Sequence, residues 1–268
     1  MLGKKRRLKR IMRKGKTLIV PMDHGITKPP EGLENVDRIL KSIDGVADAV
    51  VLHKGVAKHS CYLPEAELGL IVHLSASTSL SKDPNDKRII TTVENAISLG
   101  ADAVSVHVNV GSESEANQIV EVGRIAETCD SYGIPLLAMM YARGEKVKEN
   151  VESIKHAVRV GFELGADIVK TSYTGSIESF MKVVKVAQIP VVMAGGSKID
   201  DVKLLEDVKD AMLAGAAGVA IGRNVFQHKN PRLIVKALRM IIHEDAEVYE
   251  AREVLKEVLN EGDMVVKP

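Results

Sequence analysis

Four times along this chain of 268 residues a helical stretch ends at a glycine and leads directly into a short apolar run. The joins read LGADAVSVHV from Leu99, LGADIVKTSY from Leu164, AGAAGVAIGR from Ala214 and, more loosely, GVADAVVLHK from Gly45. Glycine adopts the left-handed conformation that ends a helix without steric cost, and a run rich in Val, Ile and Ala suits a strand buried on both faces. Repetition of that unit implies parallel strands, each followed by a helix that crosses back before the next strand begins. Apolar runs put the strands at 17–23, 48–55, 70–75, 103–110, 135–141, 167–173, 190–196 and 218–224, eight in all. Eight such units in about 250 residues predict an α/β chain folded as a single (β/α)8 TIM barrel. A doubly wound sheet usually has fewer strands and a Gly-rich fingerprint after the first, and no GxGxxG occurs here.

Between the strands, Thr91-x-x-Glu94 and Ser112-x-x-Glu115 read as capping boxes. Val151, Ile154, Val158 and Phe162 trace one apolar helical stripe, and Asn230-Pro231 reads as an N-cap with a first-turn proline. With 45% hydrophobic residues and no linker-like stretch, 1–268 is expected to form one barrel domain. It carries a basic helical extension at about 3–16 and an acidic helix at about 243–263.

The charges nearly cancel, 37 basic against 36 acidic residues, and the apolar residues are spread evenly. That balance argues against a disordered chain or a dedicated nucleic-acid binder and points to a small polar or anionic metabolite. The basic segment GKKRRLKRIMRKGK from Gly3 places Leu8, Ile11 and Met12 at helical spacing, which predicts a helix docked by one face. Its alternative is a patch for nucleic acid or membrane. The acidic stretch 243–263 is a ready counterweight to it. Cys61 and Cys129 have no metal-type spacing and read as buried, inert thiols of a reduced protein. No apolar run approaches the roughly 18 residues that span a bilayer, and the N-terminus lacks the apolar core of a secretory signal, so the expected location is cytoplasmic.

In such a barrel chemistry gathers at the C-terminal ends of the strands. Lys170 is the sharpest feature there. It interrupts an apolar strand on the face shared with Ile168 and Ser172, the barrel interior. Desolvation and neighbouring cations favour the neutral amine, the form that attacks a carbonyl to give an imine. The plainer alternative is a buried lysine paired with Asp23 or another carboxylate for structure alone. Aldol chemistry through an imine also needs proton transfer, for which Asp23 and Tyr141 stand at suitable strand ends. As alternatives, Asp23 steadies a turn and Tyr141 lies at the barrel rim.

Gly195-Gly196-Ser197 and Gly222-Arg223-Asn224 follow strands seven and eight, where barrels commonly cradle a phosphate with backbone N–H groups, and Arg223 adds a charge-assisted contact. Tight turns alone would also explain these glycines. His24, His53, His73 and His107 raise the rival of a metal site. They lack H-x-H or H-x-x-E spacing, and an interior lysine repels a cation, so no metal is expected.

The segments VPMDHG from Val20, VLHKG from Val51, ADAVSVHVNVGSE from Ala101, AETCD from Ala126, AMMYARG from Ala138, ADIVKTSYTG from Ala166, AGG from Ala194 and GVAIGRNVFQH from Gly218 resemble the archaeal-type class I aldolase family. The likeness runs in order from about Gly15 to about Glu244. It implies Lys170 as the Schiff-base residue, Tyr141 as the proton donor and Asp23 as the acid/base. It further implies that His24, Gly25, Ile26 and Thr27, Ala142 and Arg143, Gly195 and Gly196, and Gly222 and Arg223 line the substrate. No cofactor is implied, the partners are a sugar phosphate and an aldehyde, and the subunits form a homodecamer.

One branch of the family transfers a hydroxyacetone unit from 6-deoxy-5-ketofructose 1-phosphate to L-aspartate semialdehyde, toward 3-dehydroquinate and the aromatic amino acids. The sister branch cleaves fructose 1,6-bisphosphate. This chain departs from the family pattern at Ser75-Ala76-Ser77-Thr78, where a glycine pair is expected, and at 57–67, which lacks the usual glycines. Both stretches flank the substrate mouth. Three readings therefore stand: transaldolase-type synthase, bisphosphate aldolase, and a non-catalytic barrel that binds sugar phosphates.

Overall fold

The computed structural model describes residues 1–261, and of 257–261 the backbone only. Eight parallel strands close a barrel: β1 (Thr17–Pro21), β2 (Ala49–His53), β3 (Gly69–His73), β4 (Ala103–Val110), β5 (Leu136–Ala142), β6 (Ile168–Ser172), β7 (Val191–Ala194) and β8 (Gly218–Ala220). Each strand pairs with its neighbours in sequence, and β8 returns to β1 with Thr17 opposite Gly218. The expected strands are all present, but most end earlier than their apolar runs. Lys54 and Gly55 already belong to a helix, Asp23 opens a 3-10 turn (Asp23–Ile26), and Arg223 begins a four-residue helix. Apolar character continues past the ladder because the residues lifting out of it still face neighbouring loops.

The helices are α1 (Leu2–Ile11), α2 (Val36–Ile43), α3 (Lys54–His59), α4 (Val93–Ser98), α5 (Glu115–Tyr132), α6 (Val151–Glu163), α7 (Ile177–Lys185), α8 (Asp201–Leu213), α9 (Arg223–Phe226), α10 (Pro231–His243) and α11 (Val248–Glu261). Every glycine of the repeated join has positive φ, from 75° at Gly45 to 93° at Gly215. The aspartates of the same joins tie strands together. Asp48, Asp102 and Asp167 each accept a backbone N–H from the first two residues of the preceding strand, from Leu18, Leu70 and Leu136.

Those three aspartates also receive the basic N-terminus. Arg13, Arg10 and Lys4 reach Asp48, Asp102 and Asp167 at 2.9, 2.7 and 2.7 Å, so α1 is fastened across the N-terminal mouth with Ile11 buried beneath it. The basic end is therefore neutralised here and not, among the described residues, by the acidic C-terminal stretch, whose Asp245 and Glu247 meet Lys209. The helix is also shorter than expected, because Arg13 and Lys16 close a small antiparallel bridge. Residue 263, the far end of the expected acidic helix, lies outside the described residues.

Three further expectations are corrected. Thr92, not Thr91, caps α4 by accepting from Asn95 N–H. Ser112 caps nothing, since α5 begins after Ser114, while Asn150 and Ser153 make a capping box on α6. Cys61 is exposed; only Cys129 is buried, and burial pushes its thiol up to about 12. Asn230 and Pro231 cap and start α10 as expected. Among the described residues no helix is long and apolar enough to cross a membrane.

Candidate active site

The barrel interior is graded. Toward α1 it is filled by Ile11, Met12, Ile19, Ala49, Ala103, Leu137 and Ile168, and toward the opposite mouth the same inward positions carry His53, His73, Ser105, His107, Tyr141 and Lys170. Strand alternation causes this, since Ile168 and Lys170 are two residues apart on one face. Lys170 is 7% exposed, and its amine lies 3.9 Å from Met139 Sδ. Among the described residues it makes no ion pair with Asp23 or any other carboxylate, so the structural-pair alternative has no direct contact behind it. The Tyr141 ring meets the His107 ring, tilted by 50° and 4.9 Å away between centroids, and the Arg143 guanidinium, 4.4 Å from its centroid.

Asp23 stands at the end of β1 among imidazoles. Its Oδ2 is 3.9 Å from His73 Nε2, and its Oδ1 is 3.8 Å from His24 Nδ1. His73 packs edge-on against His53 and shares a 2.7 Å hydrogen bond with Ser105. Burial alone would raise the Asp23 carboxyl, but His73, His24, Lys170 and His53 together hold it well below its ordinary range, ionised at neutral pH. Burial pushes His73 down to about 3, and it lowers His24, His53 and His107 as well. The mouth thus sets the Asp23 carboxylate among imidazoles whose charged forms burial disfavours.

That arrangement carries a pH dependence. In the unfolded chain the imidazoles take up protons near pH 6.5, whereas in the fold burial moves that uptake to lower pH. The unfolded state therefore binds more protons below that pH, and stability rises with pH across the interval. Asp23 acts in the same direction further down, below its unfolded value near 3.9. Thermal melts are expected to be level above about pH 7 and to weaken toward pH 4, by up to about 1.4 kcal/mol per pH unit for each imidazole that titrates only on unfolding. His73→Asn should fall less steeply, and an unchanged slope would remove His73 as a source.

The mouth opens into two lobes that meet at Lys170, Tyr141, His24, Arg143 and Arg223. A cavity of about 350 Å³ runs under Gly195, Gly196 and Gly222 at the ends of β7 and β8. Asn224, 2% exposed, holds these turns by donating to the Gly195 and Ser197 carbonyls and accepting from Ile199 N–H. A larger cavity of about 600 Å³ reaches Asp23, Thr27, Lys87 and His107.

Of the thirteen site residues expected, ten line these lobes. Gly25 and Ile26 instead face solvent on the 3-10 turn, and Ala142, one position beyond inward-facing Tyr141, points outward into the strand–helix core. Lys87 was missed because it lies on an irregular segment between β3 and α4, where no periodicity marks a facing direction.

Residues 17–228 match the model of the DeoC/LacD family aldolases. Over 266 residues the chain is 56% identical to 2-amino-3,7-dideoxy-D-threo-hept-6-ulosonate synthase 1 of Archaeoglobus fulgidus, covering 99% of this chain and 98% of that one. It is 44% identical over 232 residues to a 2-amino-4,5-dihydroxy-6-oxo-7-(phosphonooxy)heptanoate synthase of Streptomyces griseus, 84% of each chain. A solved Schiff-base-forming fructose-1,6-bisphosphate aldolase superposes with a TM-score of 0.84 at 32% identity, over 90% of this chain and 100% of that one. The motif resemblance and the closed barrel thus meet in one conclusion: the chain belongs to the DeoC/LacD aldolase family and is an aldolase-type enzyme.

Proposed function

We propose that this enzyme is a Schiff-base transaldolase-type synthase that makes 2-amino-3,7-dideoxy-D-threo-hept-6-ulosonate. It moves a hydroxyacetone unit from 6-deoxy-5-ketofructose 1-phosphate to L-aspartate semialdehyde. The observation that carries the reading is Lys170 at the junction of two lobes, with Tyr141 and Asp23 on the same mouth. The names of the Archaeoglobus and Streptomyces relatives support it, since both specify seven-carbon 2-amino acids with a ketone at C6.

The Lys170 amine adds to the C5 ketone of the donor, and Tyr141 donates a proton as the carbinolamine oxygen leaves as water. With the iminium as electron sink, the C3–C4 bond breaks. Asp23, ionised, takes the proton of the C3 hydroxyl, and a three-carbon aldehyde bearing the phosphate departs. The enamine left on Lys170 attacks the aldehyde of aspartate semialdehyde, Asp23 returns its proton to the new alkoxide, and water frees the product from the lysine. Gly195, Gly196, Gly222 and Arg223 line the lobe for the retained three-carbon unit, which in this reaction carries no phosphate; His24 and Arg143 line the passage to the other lobe, and Thr27 lies within that lobe. The enzyme works in the cytoplasm as a homodecamer of one-domain subunits.

Incubating the enzyme with donor and L-aspartate semialdehyde should yield the amino keto acid, read by mass spectrometry and NMR. Rapid cleavage of fructose 1,6-bisphosphate without transfer to the semialdehyde would overturn the synthase reading.

A further inference from the structure

Resting on the synthase reading, we propose that Lys87, together with Arg143, forms one anion subsite that holds the phosphate of the departing aldehyde and then the α-carboxylate of the incoming one. The chemistry demands such economy. The phosphate of the donor and the carboxylate of the acceptor are each attached two carbons beyond the aldehyde carbon, on the fragment across the bond that is broken and then remade, so they occupy the same side of the enamine in turn.

Asp23 identifies that side. It serves the hydroxyl on the aldehyde carbon, and it lines the larger lobe and not the smaller. Lys87 and Arg143 line the same lobe. Lys87 is 8% exposed, and its hydrogen bond goes to a neutral group, Ser77 Oγ at 2.6 Å. The carboxylates it feels, Asp23 and Asp83, act through space and are opposed by Arg143. Burial and Arg143 lower its pKa. Among the described residues this ammonium has one hydrogen bond and no close counter-ion, and such a buried charge is costly unless an anion completes it.

The segment that departs from the family pattern builds this position. Ser77 donates to the Pro84 carbonyl while accepting from Lys87, and Ser75 accepts from His107 N–H. The Asn85 carbonyl is held by Asn109 and Gln118, so the loop that ends at Lys87 is sewn to β4 and α5 before any ligand arrives. Ser75-Ala76 also pairs with Arg88-Ile89 as a short hairpin. The ammonium is therefore fixed in place rather than carried on a free surface chain.

The test compares full-length wild type, Lys87→Gln and Lys87→Arg with the phosphorylated donor and two acceptors, L-aspartate semialdehyde and uncharged propanal. A charge-assisted contact predicts that Lys87→Gln raises KM for the donor and for the semialdehyde by about 10- to 100-fold, leaves KM for propanal unchanged, and is largely rescued by Lys87→Arg. Equal losses with both acceptors, or no loss with either, would overturn the subsite. So would acceptor discrimination that vanishes in Arg223→Gln instead, since that places the anion in the smaller lobe. If wild type forms the lysine adduct but transfers nothing to the semialdehyde, the synthase reading fails on its own. The subsite is then decided by whether Lys87→Gln slows cleavage of fructose 1,6-bisphosphate, which carries an aldehyde-side phosphate, and spares fructose 1-phosphate, which does not.

Discussion

Replacing Lys170 with alanine is expected to lower kcat for carbon transfer by about 10,000-fold or more while leaving the fold intact. A nucleophile that forms the covalent intermediate cannot be substituted by positioning alone, so removing it eliminates the pathway and does not merely weaken one interaction. The fold should tolerate the change because the amine's only close contact among the described residues is the soft one to Met139 Sδ. Asp23 loses a neighbouring cation in this variant but keeps His73 and His24 beside it. Lys170→Met, which keeps the volume of the stem, should be equally inactive, with a melting midpoint close to wild type. Residual activity within about 10-fold of wild type in either variant would contradict the assignment.

The largest structural effect is expected at the barrel seam. Gly218→Ala should destabilise the protein by about 3 kcal/mol or more, a drop in Tm on the order of 10 °C for a chain of this size. Gly218 has φ +132°, outside the range L residues adopt readily, and a Cβ there would lie 1.9 Å from the Thr17 carbonyl oxygen. That oxygen belongs to backbone that cannot swing away. Thr17 begins β1, its N–H donates to Ala217, and its hydroxyl donates to Ile11 at the end of α1. The clash therefore strikes barrel closure and the N-terminal plug together. Gly123→Ala is the internal control. It lies in α5 with nothing within 4 Å of the added methyl, so it should be neutral or slightly stabilising. Equal Tm values for the two variants, read by calorimetry, would refute this account of the seam.

How far the sequence was legible follows from what each residue's role depends on. The repeated helix–Gly–strand join is local, so the strands and their parallel order could be read from it, and the positive φ of Gly45, Gly100, Gly165 and Gly215 is what that reading requires. Lys170 was visible because a charge inside an apolar strand contradicts its surroundings. Strand ends and caps were less legible, since adjacent Thr91 and Thr92 fit a capping pattern equally well and only the backbone path selects Thr92.

Features that depend on the ring order were hidden. The Asp23 carboxylate is set by His73 from β3, which is in turn held by Ser105 from β4, and no spacing in the chain announces that trio. The join aspartates carry no motif of their own. Their grip on Lys4, Arg10 and Arg13 appears only when α1 folds across the barrel mouth. Lys87 remained hidden for the same reason, since an irregular loop gives no face until Ser77, Asn109 and Gln118 fix it.

The central claim is that a substrate ketone becomes covalently joined to Lys170. Its most direct test is to incubate the wild-type protein with 6-deoxy-5-ketofructose 1-phosphate, reduce with borohydride, and map the product by peptide mass spectrometry. The account predicts one added substrate-derived unit, the six-carbon donor or its three-carbon remnant, on the peptide carrying Lys170, absent without substrate and absent in Lys170→Ala. An unmodified Lys170, or the same adduct persisting on another lysine in Lys170→Ala, would contradict it.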